Sequence, residues 1–321
     1  MRLLTRSDFD GLASAALLSE IALIDDIKFV HPKDMQDGKV EVTSNDVLTN
    51  VPYVPGCGLW FDHHSSEEER KSYGNFFGVS DVACPSATRV IYNHYGGAAR
   101  FHSTHLQNLV CAADKADSAD FTIDEILNPT GWVLLSFIID PRSGFGRYKD
   151  YRISNYQLMM DMIDYFRTMD AEDILMIPDV HERVTRYFEQ DTLFRQMVLD
   201  NATIFDNVVV LDLRNIEEIF TGNRFMLYSL FPRQNISIQV MWGFQKRDIA
   251  LTCGHSIINR TSNTDVGSLM LKNGGGGHRC VGTCQVPIEI ADVVLQDLIA
   301  TMNADGQSTA DQPQALAGAD C

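Results

Sequence analysis

Asp62-His63-His64 joins one carboxylate to two imidazoles, directly after the strand-like run Gly58-Leu59-Trp60-Phe61 and before the polar run 65–69. Near the N-terminus, Asp8-Phe9-Asp10-Gly11 places two acids one residue apart beside a glycine. Near the C-terminus, Gly274-Gly275-Gly276-Gly277 runs into His278 and Arg279. Carboxylate oxygens suit hard divalent ions, and Mn²⁺ also accepts imidazole nitrogen. A run of glycines bares backbone N–H groups that can cradle an anion. In that order along one chain, the three signals point to metal-assisted hydrolysis of a phosphoester.

Each signal has a plainer reading beside the functional one. Asp8 and Asp10 could be an N-capping acid and a solvated one. Asp62, His63 and His64 could form a polar turn, although adjacent histidines serve packing badly because each needs partners when buried. As chemistry, one histidine ligates metal while the other contacts phosphate or donates a proton to a leaving oxygen. Asp114 and Asp117 follow the small apolar run 109–113, and either could add a further acid to the cation shell. Their plainer reading is a solvated helix face shared with Lys115 and Asp120. Asn259 and Arg260 supply further donors, Arg being suited to bidentate phosphate contact. Cys280-x-x-x-Cys284 with His278 is a metal candidate, but no second cysteine pair completes a zinc site.

The elements that must position these groups alternate. Residues 1–5, 27–31, 46–49 and 59–61 read as strands; 11–24 and 85–95 read as helices, the latter with Pro in its first turn. Such alternation predicts an α/β fold whose N-terminal domain, 1–150, is a parallel sheet with helices on both faces. Its strands would deliver Asp62 and the first acids to their carboxyl ends, where open α/β sheets place their sites. Helical periodicity over 155–169 and 177–194 predicts a helical linker, 151–204. Strand-like runs at 208–213, 225–230, 236–242 and 249–253 predict a smaller α/β domain, 205–305. The tail, 306–321, lacks an apolar period and is expected to be disordered. No internal repeat is visible.

The chain has 321 residues, a length that suggests two domains. Seven scattered cysteines, an odd number, argue against a disulfide framework. No signal peptide is evident, because Arg2, Arg6, Asp8 and Asp10 interrupt the start, and the most apolar stretch, 132–139, is too short to span a bilayer. A cytoplasmic protein without a membrane partner is the expectation. The formal net charge of -17 ill suits a protein that grips long duplex DNA through its phosphates. Metals and a few arginines could still hold a small anionic ligand.

With Asp8-x-Asp10-Gly11, Asp62-His63-His64 and Gly275–His278 in this order, the chain resembles the DHH phosphoesterase family over residues 1 to about 300, in its exopolyphosphatase-like and oligoribonuclease-like branch. The resemblance implies a manganese site, of one or two ions with Mg²⁺ as a substitute, in the N-terminal domain. It also implies a DHHA1-like C-terminal domain that binds substrate across a cleft. Asp8, Asp10, His63 and one of Asp114 or Asp117 would be ligands, Asp117 being preferred. His64 would act at the scissile phosphate, supported by Asp62, while Asn259, Arg260, Gly276, Gly277 and His278 would hold substrate. Two departures stand out. Leu4 occupies a position where many members carry a histidine ligand, and Asn50 one where many carry a metal-bridging Asp. An amide oxygen can ligate but brings no charge; His31 and Asp34 are candidates to compensate. The implied activity is hydrolysis of short oligonucleotides or small nucleotide phosphates, including a bisphosphate nucleotide or a cyclic dinucleotide, with a homodimer as a possible assembly. The alternative is a catalytically impaired nucleotide-binding sensor of the same fold.

Overall fold

The structure, a computed structural model, describes residues 1–64 and 75–306. The polar run 65–69 and the expected disordered tail from residue 307 onward lie outside the described residues. The chain divides into two compact units. The first comprises 1–120 and 129–187; the second comprises 121–128 and the described residues from 188 onward.

The first unit is built on a parallel sheet of five strands: β1 (Arg2–Thr5), β2 (Asp26–Phe29), β3 (Asp46–Thr49), β4 (Leu59–Asp62) and β5 (Gly78–Ser80). Their order is β2-β1-β3-β4-β5, all parallel. The registers Thr5↔Thr49 and Thr49↔Phe61 level the carboxyl ends of β1, β3 and β4, so the residues just past each strand emerge side by side. Both faces must be covered in such a sheet, which explains why the three inner strands β1, β3 and β4 are largely buried while the edge strands β2 and β5 are not. Helix α1 (Phe9–Glu20) buries every residue from Phe9 to Leu18. Leu4 is part of an apolar cluster with Met35, Leu48, Val51 and Trp60.

Among the described residues six further α-helices lie wholly within this unit: α2 (Pro32–Gln36), α3 (Ala87–His94), α4 (Thr104–Asp117), α6 (Gly131–Ile139), α7 (Asn155–Thr168) and α8 (Ala171–Met176). The most apolar stretch of the sequence is α6, a short core helix. Among the described residues no helix is long and apolar enough to cross a membrane. The expected linker, 151–204, falls partly in each unit. Its first helix, α7, buries Leu158, Met159, Met162, Ile163 and Phe166, and the Phe166 ring lies 4.9 Å from that of Phe9 in α1. The long helix α9 (Pro178–Asn201) contains the division between units.

The second unit carries α5 (Ile123–Leu127) and a mixed six-stranded sheet: β6 (Ala202–Phe205), β7 (Val208–Asp212), β8 (Ile236–Trp242), β9 (Ile249–His255), β10 (Gly276–His278) and β11 (Val281–Val286). The order is β10-β11-β9-β8-β7-β6, with only β7 and β8 parallel. Helices α11 (Val266–Lys272) and α12 (Ala291–Asp305) contribute Val266, Met270, Leu295, Leu298 and Met302 to its core. The run 225–230, expected as a strand, is instead helix α10 (Met226–Leu230). Asn223 decides it locally, because its side-chain oxygen accepts the Phe225 N–H at 2.9 Å and starts a turn. A six-residue apolar run offers too little periodicity to separate the two forms.

Candidate metal and catalytic site

The leveled ends of β1, β3 and β4 present Asp8 and Asp10, then Asn50, then Asp62, His63 and His64. Asp8 caps α1, accepting the Gly11 N–H at 3.0 Å. Gly11 is required there, since a Cβ would fall 2.1 Å from the Arg6 carbonyl oxygen. Asp10 lies in the first turn of the same helix and is 2% exposed. Asn50 has a φ of 54°, a left-handed conformation that Asn tolerates better than most residues.

Asp10 is held by the N-terminus of α3. Its Oδ2 accepts Ala87 N–H at 3.0 Å; its Oδ1 accepts Thr88 N–H at 2.9 Å and the Thr88 hydroxyl at 2.6 Å. Asp117, at the end of α4, lies opposite, with its Oδ2 2.9 Å from His63 Nε2. That pair lacks hydrogen-bond alignment, and His63 Nε2 is a buried atom without a hydrogen-bond partner among the described residues. Ligand atoms of Asp10, His63 and Asp117 all lie within 4.8 Å of one another. Two donors side by side that do not point at each other suit a common third atom.

The charges of this cluster perturb one another. Burial, with the Asp117 carboxylate adding to it, pushes Asp10 up to about 6. Burial alone would lower His63, but Asp117, Asp10 and Asp62 outweigh it and hold the imidazole at about 9. Burial would raise Asp117, yet His63, His64 and Arg6 keep it below the usual carboxylate range. Burial also raises Asp8.

His64 forms a second pair. Its Nδ1 lies 2.9 Å from Oδ1 of Asp62, a fully buried carboxylate, so the dyad leaves the His64 Nε2 edge turned away from Asp62. Burial opposes the charged imidazole, but Asp62 more than compensates and the His64 pKa is raised.

The expected ligands separate into two groups. Asp10, His63 and Asp117 come together, whereas Asp8 is engaged on both oxygens: Oδ1 accepts from Gly11 N–H and from Asn50 Nδ2 at 3.0 Å, and Oδ2 lies 2.9 Å from Arg6 Nε. Asp114 is taken by Arg89, at 2.8 and 2.5 Å from Nε and Nη2, and by the Ser86 hydroxyl at 2.6 Å. His31 caps α2 and Asp34 pairs with Lys39, so neither compensates for Leu4 or Asn50. Sequence reasoning missed Thr88, Ser86, Arg6 and Arg142. Arg142, in the turn after α6, is exposed and paired with Asp140, yet it stabilises Asp8 through charge. The one available signal for the α3 clamp was Ser86, an N-cap just after Pro85.

In the second unit, Asn259 and Arg260 leave the end of β9 in a loop. Asn259 Nδ2 donates to the Arg233 carbonyl at 2.8 Å, and Arg260 is exposed. His278 is level with Val281, and Val281 with Gly254, so the end of β10 is separated from the start of that loop by one strand, β11. The glycine run is not an open cradle throughout. Gly276–His278 pairs with β11, and a Cβ at Gly277 would meet the Val281 carbonyl oxygen at 2.3 Å. A Cβ at Gly276 or at Gly274 would meet nothing within 4 Å, so the missing side chain leaves space at these two positions, and of the two only Gly276 lies in the strand. Cys284 is buried in the core of this sheet, and Asp10, His63 and Asp117 form the one metal-capable group found among the described residues.

No family model matches the chain, and no curated protein matches it. Among solved structures, the pGpG-specific phosphodiesterase PggH from Vibrio cholerae is 50% identical, with 95% of this chain and 99% of that one covered and a TM-score of 0.83. An exopolyphosphatase-related protein from Bacteroides fragilis is 12% identical, with coverages of 94% and 91% and a TM-score of 0.54. RecJ from Thermus thermophilus, in complex with Mn²⁺, is 12% identical, with coverages of 94% and 52% and a TM-score of 0.53. The last two share the fold alone. The chain belongs to the DHH phosphoesterase family and is a hydrolase of that class.

Proposed function

We propose that this chain is a divalent-cation-dependent phosphodiesterase that cleaves a short linear dinucleotide of the pGpG type into two nucleoside monophosphates. The observation that carries this reading is the 50% identity to a pGpG-specific phosphodiesterase over nearly all of both chains. The residues present fit a cation: two carboxylates and an imidazole converge, His63 Nε2 has no aligned partner, and Asn50 Oδ1 is buried without one. Asp10, His63 and Asp117 would hold the ion, and Mn²⁺ suits their mixed oxygen and nitrogen donors better than Ca²⁺. Bound there, it would supply Lewis acidity, activating water and neutralising charge on the phosphoryl oxygens.

The chain's own residues do the rest. Asp62 fixes the His64 ring through Nδ1 and favours its charged form, so Nε2–H can donate to the departing 3′ oxygen as the P–O bond breaks. Water adds to phosphorus, and the products are two monophosphates. Arg142 and Arg6 offset the negative charge that gathers around Asp8. In the second unit, Asn259, Arg260, Gly276, Gly277 and His278 are proposed to hold the nucleotide, the exposed Arg260 and His278 by their side chains and Gly276 by its open backbone.

Turnover of a panel with and without Mn²⁺ tests this: pGpG, a longer RNA, a 3′,5′-bisphosphate nucleotide, a cyclic dinucleotide and polyphosphate. The reading requires pGpG to be the preferred substrate and chelation to stop its cleavage. Tight pGpG binding without cleavage at any Mn²⁺ concentration would instead support the sensor, for which Leu4 in the core and the neutral Asn50 are the motivating observations.

A further inference from the structure

Two-metal phosphoesterases place two cations roughly 3.5–4 Å apart, and each ion needs donors of its own besides shared ones. Here the carboxylate donors beyond Asp10 and Asp117 are already engaged. Asp62 is bound to His64, and Asp114 to Arg89 and Ser86. Leu4 is sealed in the apolar core at 0% exposure. Asp8 is the remaining carboxylate, and Asn50 and Gly11 hold its Oδ1 while Arg6 holds its Oδ2. Asn50 is 1% exposed, and its Oδ1 is buried with no hydrogen-bond partner among the described residues. An aspartate there would add a charged donor; an amide adds none.

From this we infer that the site takes one divalent cation, and that the Arg6 guanidinium on Asp8 supplies the positive charge that a second cation would bring. The inference rests on reading Asp10, His63 and Asp117 as the cation site. The charges agree with it. Asp8, Asp10 and Asp117 carry three negative charges, matched by one divalent ion together with Arg6 once His63 ligates as a neutral ring. A second ion would have to displace Arg6 from Asp8 without gaining an anionic bridge from Asn50. Arg6 would thereby fix the number of cations without binding one.

The test is Mn²⁺ stoichiometry, by calorimetry and by metal analysis after gel filtration, on the natural chain and on an Arg6→Gln/Asn50→Asp double variant. Asp is tolerated in left-handed backbone much as Asn is, so the second substitution keeps the turn. The natural chain should bind one Mn²⁺, and the double variant two. Two tight Mn²⁺ per natural chain overturn the inference, as does a folded double variant that still binds one. Should the double variant not fold, the electron paramagnetic resonance spectrum of the natural chain at excess Mn²⁺ decides: an uncoupled mononuclear signal supports it, a spin-coupled pair overturns it. One Mn²⁺ with no hydrolysis of any phosphoester would sink the proposed activity and leave this inference standing. Two Mn²⁺ with pGpG cleavage would do the reverse, and no Mn²⁺ binding at all would end both.

Discussion

Replacing Thr88 by valine removes one hydroxyl and almost no volume from a fully buried position. In the natural chain that hydroxyl lies 2.6 Å from Asp10 Oδ1. Hydrogen bonds to charged groups contribute about 1.5–3 kcal/mol. At about 1.4 kcal/mol per factor of ten, Asp10 should lose roughly 10- to 100-fold in its affinity for a cation. Loss of a group that orients a metal ligand costs about the same range. The effect is not total, because Ala87 N–H and Thr88 N–H still hold both Asp10 oxygens. It has a definite sign: an Asp10 anion with fewer donors holds its proton above the present value of about 6, so Mn²⁺ must compete with more proton at neutral pH. Calorimetric Mn²⁺ titration and the Mn²⁺ dependence of pGpG cleavage would both read this, with Thr88→Ser as the control that restores the hydroxyl. A folded Thr88→Val protein that binds Mn²⁺ within twofold of the natural chain would refute the claim that α3 positions Asp10 through this hydroxyl.

Asp117→Asn should abolish Mn²⁺ binding, whereas Asp114→Asn should lower thermal stability through its contact with Arg89 and Ser86 and leave Mn²⁺ affinity within a few-fold; calorimetry on both variants decides, and the reversed pattern would exchange their roles. In protein stripped of cations by chelation, Asp10 and His63 have folded-state values raised from 3.8 to about 6 and from 6.5 to about 9. Each therefore contributes stability that is complete below its unfolded value and lost as pH rises through its folded value. Melting temperature should fall on Asp10's account between about pH 4 and 6 and on His63's between about 6.5 and 9, while Mn²⁺ affinity climbs over the upper window. A chelated protein that grows more stable from pH 6.5 to 9 contradicts this. Gly277→Ala should disrupt the β10–β11 pairing, seen as lost protection from amide exchange at 276–282, whereas Gly276→Ala should keep the fold and raise KM for pGpG. Equal behaviour of the two would remove the distinction between the packed glycine and the open one.

The parallel sheet was legible because its strands are short apolar runs set between helical patterns, and Asp62-His63-His64 was legible because it follows one of them. The expected strand at 225–230 failed because Asn223 starts a helix that six apolar residues cannot announce. Strands β10 and β11 were hidden by their glycines, which make close backbone pairing possible while erasing the alternation that marks a strand. At the site, residue types identified the acids and histidines but not their partners. Asp114 and Asp117 are three residues apart on one helix, and only the position of Arg89, 25 residues earlier in sequence, shows which of them is occupied. Thr88 and Arg6 carry no motif of their own; their roles exist only through the distances that folding sets to Asp10 and Asp8.

The central claim, that Asp10, His63 and Asp117 hold the cation with which this chain cleaves a linear dinucleotide, has one direct test. The natural chain and Asp117→Asn, both stripped by chelation, would be mixed with pGpG, and release of the monophosphate followed as Mn²⁺ is added. The account predicts no release before Mn²⁺, turnover by the natural chain after it, and none by the folded variant. Cleavage before Mn²⁺ is added, or equal turnover by the two proteins, would contradict it.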